Sequence, residues 1–204
     1  ALGTAVSLDM AAVDPASEAG KADWKEILKA VLPYVDFFVP SAEELCAMLD
    51  QDLYQEWQRK AAGRDMTEIL TMEDLHRLST KTLELGAKVI LIKCGSSGMY
   101  FRTEKKEKLE GLCAALRLKP EEWADKEGFE KSFEPEAVLS GTGAGDTSIA
   151  AFLASVMVGE SLEEAVEMAA ATGACCVAAY DALSGLKPLE QLKEKIRKGW
   201  KKNG

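Results

Sequence analysis

The sequence predicts a layered α/β fold, in which helices cover both faces of a mostly parallel central sheet. Short apolar runs rich in β-formers alternate with segments whose apolar residues recur at helical spacing. The run VILI at residues 89–92 follows a helical segment and Gly86, and its unbroken apolar character is typical of a strand buried on both faces. A length of 204 residues suits a single domain with a real core.

The individual elements follow from these periodicities in chain order. Strands are predicted at residues 4–8, 36–39, 88–93 and 99–102. Helices are predicted at residues 24–31, 41–49, 71–85, 146–158, 161–180 and 188–201. The segments 50–64 and 116–136 are expected to be surface elaborations, the second of them punctuated by Pro120 and Pro135.

Composition and charge exclude several classes of function. The net charge is −9, from 25 Lys and Arg against 34 Asp and Glu, which argues against broad attachment to nucleic acid. The basic residues near the C-terminus are interpreted as a solvated helix end. No stretch approaches the roughly 20 apolar residues that span a bilayer, and the first residues lack the basic region of a secretory signal. A cytoplasmic protein with no membrane partner is therefore expected.

Cysteine and histidine usage limits the chemistry further. The five cysteines form no C-x-x-C pair and lie mostly in apolar runs, so they are predicted to be reduced core thiols. His76 is the single histidine and lies in a charged helical segment, where an exposed position is expected. A multi-histidine metal site is excluded, and any Ser-His-Asp triad would depend on this one residue.

Glycines are concentrated in the segment 138–147, VLSGTGAGDT, which leads into a small-residue apolar helix. Successive N–H groups at such a helix N-terminus form a cradle for an anion, and phosphate is its natural ligand. Asp146 falls in the first turn, where a carboxylate can cap the helix or accept a proton from a hydroxyl group beside the anion. The segment thus indicates phosphate chemistry or, alternatively, an ordinary strand-to-helix turn. A Walker loop and a dinucleotide fingerprint both fit poorly, because Asp146 stands where they need lysine or glycine.

Thr142 followed by GAGD at residues 143–146 resembles the C-terminal motif of the ribokinase-like (PfkB) family of carbohydrate and nucleoside kinases. Further segments resemble that family in the same order, namely SLD at 7–9 with the helix after it, VPSAEEL at 39–45, IKCGSSG at 92–98 and DALSGL at 181–186. The resemblance covers nearly the whole chain. It implies the three-layer αβα fold of these kinases, with a mostly parallel central sheet.

The same resemblance implies a reaction, in which ATP with Mg²⁺ phosphorylates a hydroxyl group of a sugar or nucleoside. Asp146 would be the catalytic base, and the amides of Gly143, Ala144 and Gly145 would form the anion hole. Glu44 would organise Mg²⁺ and its waters. The residues implied at the nucleotide are Lys93, Gly95, Ser97, Gly98, Thr142, Ala170 and Gly173.

Each of these assignments has a structural alternative on the residues alone. Glu44 also suits a solvated helix carboxylate, and the segment 92–98 also suits a tight turn between two strands. Ala170 and Gly173 also suit close packing between helices.

The chain departs from the family pattern in several places. Ser41 stands where asparagine is usual and Lys93 where threonine is common. Ser140 and Gly141 replace the Asp-Thr that helps to hold a monovalent cation, which puts potassium activation in doubt. The family's first strands, the glycine pair that contacts the sugar and the β lid have no counterpart. Residues 1–204 are therefore expected to form one N-terminally incomplete kinase domain.

Two other functions compete with the kinase. One is a catalytically idle module that binds a nucleotide or a partner protein, and the other is a structural α/β domain with no ligand. The acceptor is left open because the residues that would select it belong to the missing portion. Homodimerisation also stays open, because in the family it often runs through the lid.

Overall fold

A five-stranded sheet forms the centre of the computed structural model, which describes residues 3–14 and 17–203. The strands lie in the order β1 (Ser7–Leu8), β2 (Phe37–Phe38), β3 (Val89–Lys93), β4 (Gly98–Thr103) and β5 (Glu127–Lys131). The first three are parallel, and β4 is antiparallel to both β3 and β5. Four of the five strands therefore run in one direction, and the predicted mostly parallel sheet is confirmed.

Helices cover both faces of this sheet. In chain order they are α1 (Trp24–Val31), α2 (Ala42–Leu49), α3 (Gln51–Ala61), α4 (Met72–Glu84), α5 (Lys106–Leu116), α6 (Pro120–Trp123), α7 (Ala144–Met157), α8 (Leu162–Cys176) and α9 (Leu189–Arg197). Apolar residues of α1 to α4 pack on one face of the sheet, and those of α5 to α8 pack on the other. The arrangement is the predicted three-layer α/β fold, with α9 against the outer side of α8.

Alternation along the central strands produces the two apolar cores. In β3, Val89 and Leu91 belong to the core beneath α5 to α8, whereas Ile90 and Ile92 belong to the core beneath α1 to α4. Since successive side chains point to opposite faces of a strand, an unbroken apolar run must be covered on both sides. The burial expected for this run is confirmed.

Helix boundaries follow local capping. α2, α4 and α8 each begin with a capping box, formed by the pairs Ser41 with Glu44, Thr71 with Asp74, and Ser161 with Glu164. In a capping box the two side chains satisfy each other's backbone N–H groups, which sets the start of the helix. The predicted first residues are the three N-caps, so each helix begins one residue later, and α8 ends at Cys176, four residues before the predicted end.

The two predicted surface elaborations are wrong, because both contain packed structure. Residues 50–64 hold α3, whose Leu53, Trp57 and Ala61 are buried. Residues 116–136 hold α6 and the edge strand β5, and the Trp123 side chain is 1% exposed. Each segment has only a few apolar residues among many charged ones. Its high average polarity therefore suggested a surface segment, although its apolar residues pack into the core.

The cysteine and histidine predictions are confirmed. All five cysteines are buried and free of disulfides. His76 lies on α4 with about half of its side chain exposed, and its Nδ1 lies 2.9 Å from Glu127 Oε1. Within residues 3–14 and 17–203, none of the helices is both long and apolar enough to cross a membrane.

Candidate functional site

Polar residues from three neighbouring strands meet at one edge of the sheet. Asp9 follows β1, Ser41 follows β2, and Lys93 is the last residue of β3. Ser41 and Lys93 form an isolated parallel bridge, in which the Lys93 N–H donates to Pro40 O at 2.9 Å. This is the carboxyl edge of the parallel strands, where open α/β sheets bind their ligands.

The glycine-rich turn before α7 lies at the same edge. An ideal Cβ placed on Gly145 would lie 3.5 Å from Lys93 Nζ, so the first turn of α7 adjoins the end of β3. Gly143 caps α7 with φ of 77°, a left-handed conformation that favours glycine. A side chain there would also collide with Ala182, which packs against the turn.

The buried Cys176 thiol group contacts the glycine-rich turn. Cys176 Sγ lies 3.7 Å from Thr142 O and 3.6 Å from Ala182 O. The end of α8 is therefore connected both to the glycine-rich turn and to the loop that covers it. Thr142 is exposed, and its N–H donates to Ser140 Oγ at 3.1 Å.

The backbone amides of the turn divide into two groups. The Ala144 N–H donates to Gly141 O at 3.2 Å and is thus already satisfied inside the turn. By contrast, the N–H groups of Gly143, Gly145 and Asp146 have no acceptor among residues 3–14 and 17–203. The predicted anion hole of Gly143, Ala144 and Gly145 stays a prediction, and of its three amides the Ala144 N–H already has an acceptor within the protein.

Asp146 occupies the first turn of α7, as its sequence position predicts. The residue is exposed, and its carboxylate makes no hydrogen bond or ion pair within the described part of the chain. It does not cap its own helix, because the N-cap is Gly143 and no side chain accepts there. A free carboxylate beside free amide donors can accept a proton from a group bound at the turn.

Lys93 ends in an ion pair that the sequence did not predict. Its Nζ lies 2.6 and 2.7 Å from the two carboxylate oxygens of Asp9. The sequence contained a signal for this pair, because both residues lie at the ends of predicted strands. Asp9 directly follows β1, and Lys93 is the last residue of β3. Polar residues at the carboxyl ends of parallel strands share an edge, although they are far apart in sequence.

Glu44 lies in the first turn of α2, which begins beside Lys93. Its Oε2 accepts the Ser41 N–H at 2.8 Å, which leaves Oε1 free of protein partners in the described residues. Burial, with the negative charges of Asp65 and Glu44, raises the pKa of the adjacent Glu43. The described residues contain no cluster of three or more metal-ligating side chains. This donor set fits Mg²⁺ only where phosphate and water oxygens complete its shell, as Mg²⁺ commonly prefers.

The hairpin between β3 and β4 is chiefly a tight turn. Gly98 is buried, and a Cβ added to it would collide with Glu130 O, so only glycine fits here, and its contact with the nucleotide stays a prediction. Ser97 Oγ donates to Thr67 O at 3.3 Å, and Gly95 packs against the Thr67 side chain. Gly95 is exposed, and it and Ser97 stay candidates for nucleotide contact.

The small residues of α8 serve packing. Ala170 is 3% exposed and belongs to the apolar cluster between α8 and α9, and its contact with a nucleotide stays a prediction. Gly173 faces α7, where an added Cβ would lie 2.6 Å from Ser148 Oγ. The two helices approach closely because a glycine occupies this position.

Comparison with known proteins decides the family. A model of the pfkB family carbohydrate kinases matches residues 4–188. The chain belongs to this family. Among curated proteins, a ribokinase from Arabidopsis thaliana is 32% identical over 117 residues, which cover 57% of this chain and 26% of the ribokinase.

Solved structures of ribokinases and of a riboside kinase share the fold. Arabidopsis thaliana ribokinase, complexed with ribose and ATP, superposes with a TM-score of 0.62 at 23% identity, over 96% of this chain and 48% of that one. An E. coli protein provisionally assigned as ribokinase II, in complex with ATP and Mg²⁺, gives 0.63 at 21% identity, over 96% and 49%. Aminoimidazole riboside kinase from Salmonella enterica, complexed with aminoimidazole riboside and an ATP analogue, gives 0.60 at 20% identity, over 94% and 52%. The chain thus spans about half the length of these structural relatives.

Proposed function

We propose that this chain carries the nucleotide-binding and catalytic part of an ATP-dependent kinase that phosphorylates a hydroxyl group of a sugar or nucleoside. The supporting observation is the unpartnered carboxylate of Asp146, next to the free amides of Gly143 and Gly145 at the N-terminus of α7. The solved relatives that were crystallised with ribose or a riboside, together with ATP or an analogue, support the substrate class. We further propose that residues 1–204 act as one domain.

In the proposed reaction the acceptor hydroxyl group transfers its proton to the Asp146 carboxylate. The hydroxyl oxygen forms a bond to the γ-phosphorus of ATP, the bond to the bridging oxygen breaks, and ADP leaves. The amides of Gly143, Gly145 and Asp146 would donate to the charge that develops on the phosphoryl oxygens. A single hydrogen-bond donor to a developing oxyanion in other enzymes contributes about 2.7 to 4 kcal/mol to transition-state stabilisation.

Glu44 would take part in holding Mg²⁺ through its free Oε1. The ion would supply neutralisation of phosphate charge, since it prefers hard oxygen ligands. The protein's own contribution at this point is orientation, because the capping hydrogen bond from the Ser41 N–H fixes the Glu44 carboxylate at the start of α2.

Asp146→Asn tests the base. The substitution keeps the size of the side chain and removes its capacity to accept a proton, so turnover should fall by about 10²- to 10⁴-fold while ATP affinity stays close to wild type. Turnover is measured with a panel of sugars and nucleosides in the longest polypeptide that the gene encodes, and ATP affinity by titration calorimetry. Asp52→Asn is the matched control, because Asp52 is likewise an exposed aspartate in the first turn of a helix, α3.

The outcomes separate the kinase from its alternatives. An Asp146→Asn protein with the wild-type rate would exclude Asp146 as the base. ATP binding without product from any acceptor would instead favour the idle nucleotide-binding module. Absence of ATP binding by the wild-type protein would exclude both of these functions.

A further inference from the structure

The Asp9–Lys93 pair lies deeper in the structure than an ordinary surface ion pair. The Lys93 side chain is 15% exposed and that of Asp9 is 29% exposed. Asp9 is itself held in place, because its Oδ1 accepts the Met10 N–H at 2.7 Å. The carboxylate is therefore a fixed support for the ammonium group.

One N–H donor of the Lys93 ammonium group has no acceptor in the described part of the chain. A lysine ammonium carries three N–H donors. Asp9 takes up two of them with its two oxygens, and Lys93 Nζ has no other acceptor in residues 3–14 and 17–203. Its closeness to the position of a Cβ on Gly145, 3.5 Å, puts the remaining donor at the first turn of α7.

Charge and geometry at this point both favour a phosphate. The free amides of Gly145 and Asp146 and the positive end of α7 provide partial charge, whereas Lys93 provides a full positive charge beside them. A free lysine side chain would lose rotamer entropy on binding a ligand. Because Asp9 has already fixed Lys93, that entropy is lost on folding rather than on binding.

We infer that Lys93 contacts the migrating phosphoryl group and that Asp9 is a positioning residue, which acts only by holding the Lys93 ammonium group beside Gly145. This inference rests on the proposed function and adds to it a residue, Asp9, that acts through another. Asp9 also neutralises the half-buried Lys93 ammonium group while the site is free of phosphate, so Lys93 needs no other acidic partner in the free protein.

The test compares nucleotides that differ only in phosphates. Affinities for ATP, ADP and AMP are measured by titration calorimetry for the wild-type protein, Lys93→Met, Asp9→Asn and the double variant. Lys93→Met should weaken ATP binding by about ten- to hundredfold, the range for a lost hydrogen bond to a charged group, and should leave AMP binding nearly unchanged. Asp9→Asn should weaken ATP binding in the same selective way but less. The double variant should be no worse than Lys93→Met, because Asp9 then has nothing to position.

Two further variants separate positioning from general stability. Lys93→Arg keeps the charge and should retain more ATP affinity than Lys93→Met. Lys126→Met is the matched control for loss of one ammonium group. Lys126 pairs with Glu163 at 3.1 Å and directly precedes β5, the outermost strand on the side of the sheet away from β1. Thermal unfolding of every variant is recorded beside its affinities.

Three results would overturn the inference. Equal loss of ATP and AMP binding in Asp9→Asn would show that the pair merely stabilises the fold. Additive losses in the double variant would show that Asp9 acts independently of Lys93. Unchanged ATP affinity in Asp9→Asn or in Lys93→Met would remove the positioning role, and the proposed function would still stand if Asp146→Asn abolished turnover.

Discussion

Gly173 of α8 faces Ser148 of α7 so closely that a Cβ added to the glycine would lie 2.6 Å from the serine hydroxyl oxygen. Ser148 is 2% exposed, so its side chain has little room to move away. This contact joins the helix that carries Asp146 to the helix whose C-terminal end supports the glycine-rich turn.

Gly173→Ala should therefore lower the free energy of unfolding by about 1 to 3 kcal/mol through overpacking. Ser148→Ala removes the hydroxyl oxygen, so the double variant Gly173→Ala with Ser148→Ala should recover most of that loss. Chemical denaturation of the three variants gives the comparison. A double variant no more stable than Gly173→Ala would contradict the packing role of Gly173.

Gly143→Ala should impair the glycine-rich turn for two separate reasons. The left-handed backbone at φ of 77° costs a non-glycine residue about 1 to 2 kcal/mol, and the new methyl group collides with Ala182. Both stability and ATP affinity should fall. Ala182→Gly relieves only the collision, so it should restore part of the loss in the double variant. Full restoration would mean that the backbone conformation contributes nothing.

Glu44→Gln should separate the metal role of Glu44 from its capping role. Glutamine preserves a capping box, so the unfolding temperature should change little. The loss of negative charge should raise the Mg²⁺ concentration needed for half-maximal turnover. Glu164→Gln is the matched control, because Glu164 occupies the same capping position at the start of α8. An identical Mg²⁺ dependence in Glu44→Gln and wild type would leave Glu44 as a helix cap only.

Asp50 should stabilise the α1 to α4 side of the sheet through its ion pairs. Its Oδ2 lies 2.5 Å from both Arg77 Nη2 and Lys81 Nζ, and its side chain is 5% exposed. Asp50→Ala removes both ion pairs and the N-cap of α3, and should lower the free energy of unfolding by about 1 to 2 kcal/mol. Glu56→Ala is the control, because Glu56 forms an exposed pair with Lys60 that should contribute less than about 1 kcal/mol.

The contribution of Asp50 should also depend on pH. Burial favours a higher pKa, but the hydrogen bonds from Lys81 and the Leu53 N–H and the charges of Lys81 and Arg77 outweigh it, and they hold the pKa of Asp50 below its usual value. A lowered folded-state pKa gives stability that is fully present above the unfolded pKa and is lost as pH falls through the folded one. The stability difference between wild type and Asp50→Asn should thus shrink from pH 7 to about pH 2.5. A constant difference across that range would contradict it.

Local sequence signals were sufficient for most of the helices and for the central strands. α1 spans the predicted residues, and α2 and α4 begin where a serine or threonine precedes an acidic residue by three positions. The glycine-rich turn before α7 was equally visible, because glycines, an aspartate and an apolar helix follow one another within a few residues. Such signals are local, so they need no knowledge of neighbouring elements.

Assignments that depended on which face a residue presents were less reliable. Ala170 and Gly173 are both small residues of α8, yet the first is sealed under α9 and the second packs on Ser148. Gly98 resembled a ligand-binding glycine in the sequence, but β5 covers it in the structure. The strand β5 was not predicted, because its segment is acidic and has few β-forming residues. Composition does not reveal what covers a given surface.

The sequence by itself determined the α/β layering, the approximate positions of most helices and the glycine-rich turn with Asp146 in the following helix. Only the tertiary structure decided that Asp9 meets Lys93 across the sheet, that the Ala144 amide is satisfied inside the turn and that Glu44 keeps one oxygen free. The physical reason is that periodicity and capping act over a few residues, whereas the meeting of two strand ends depends on strand order and register. Those are set by the packing of the whole core.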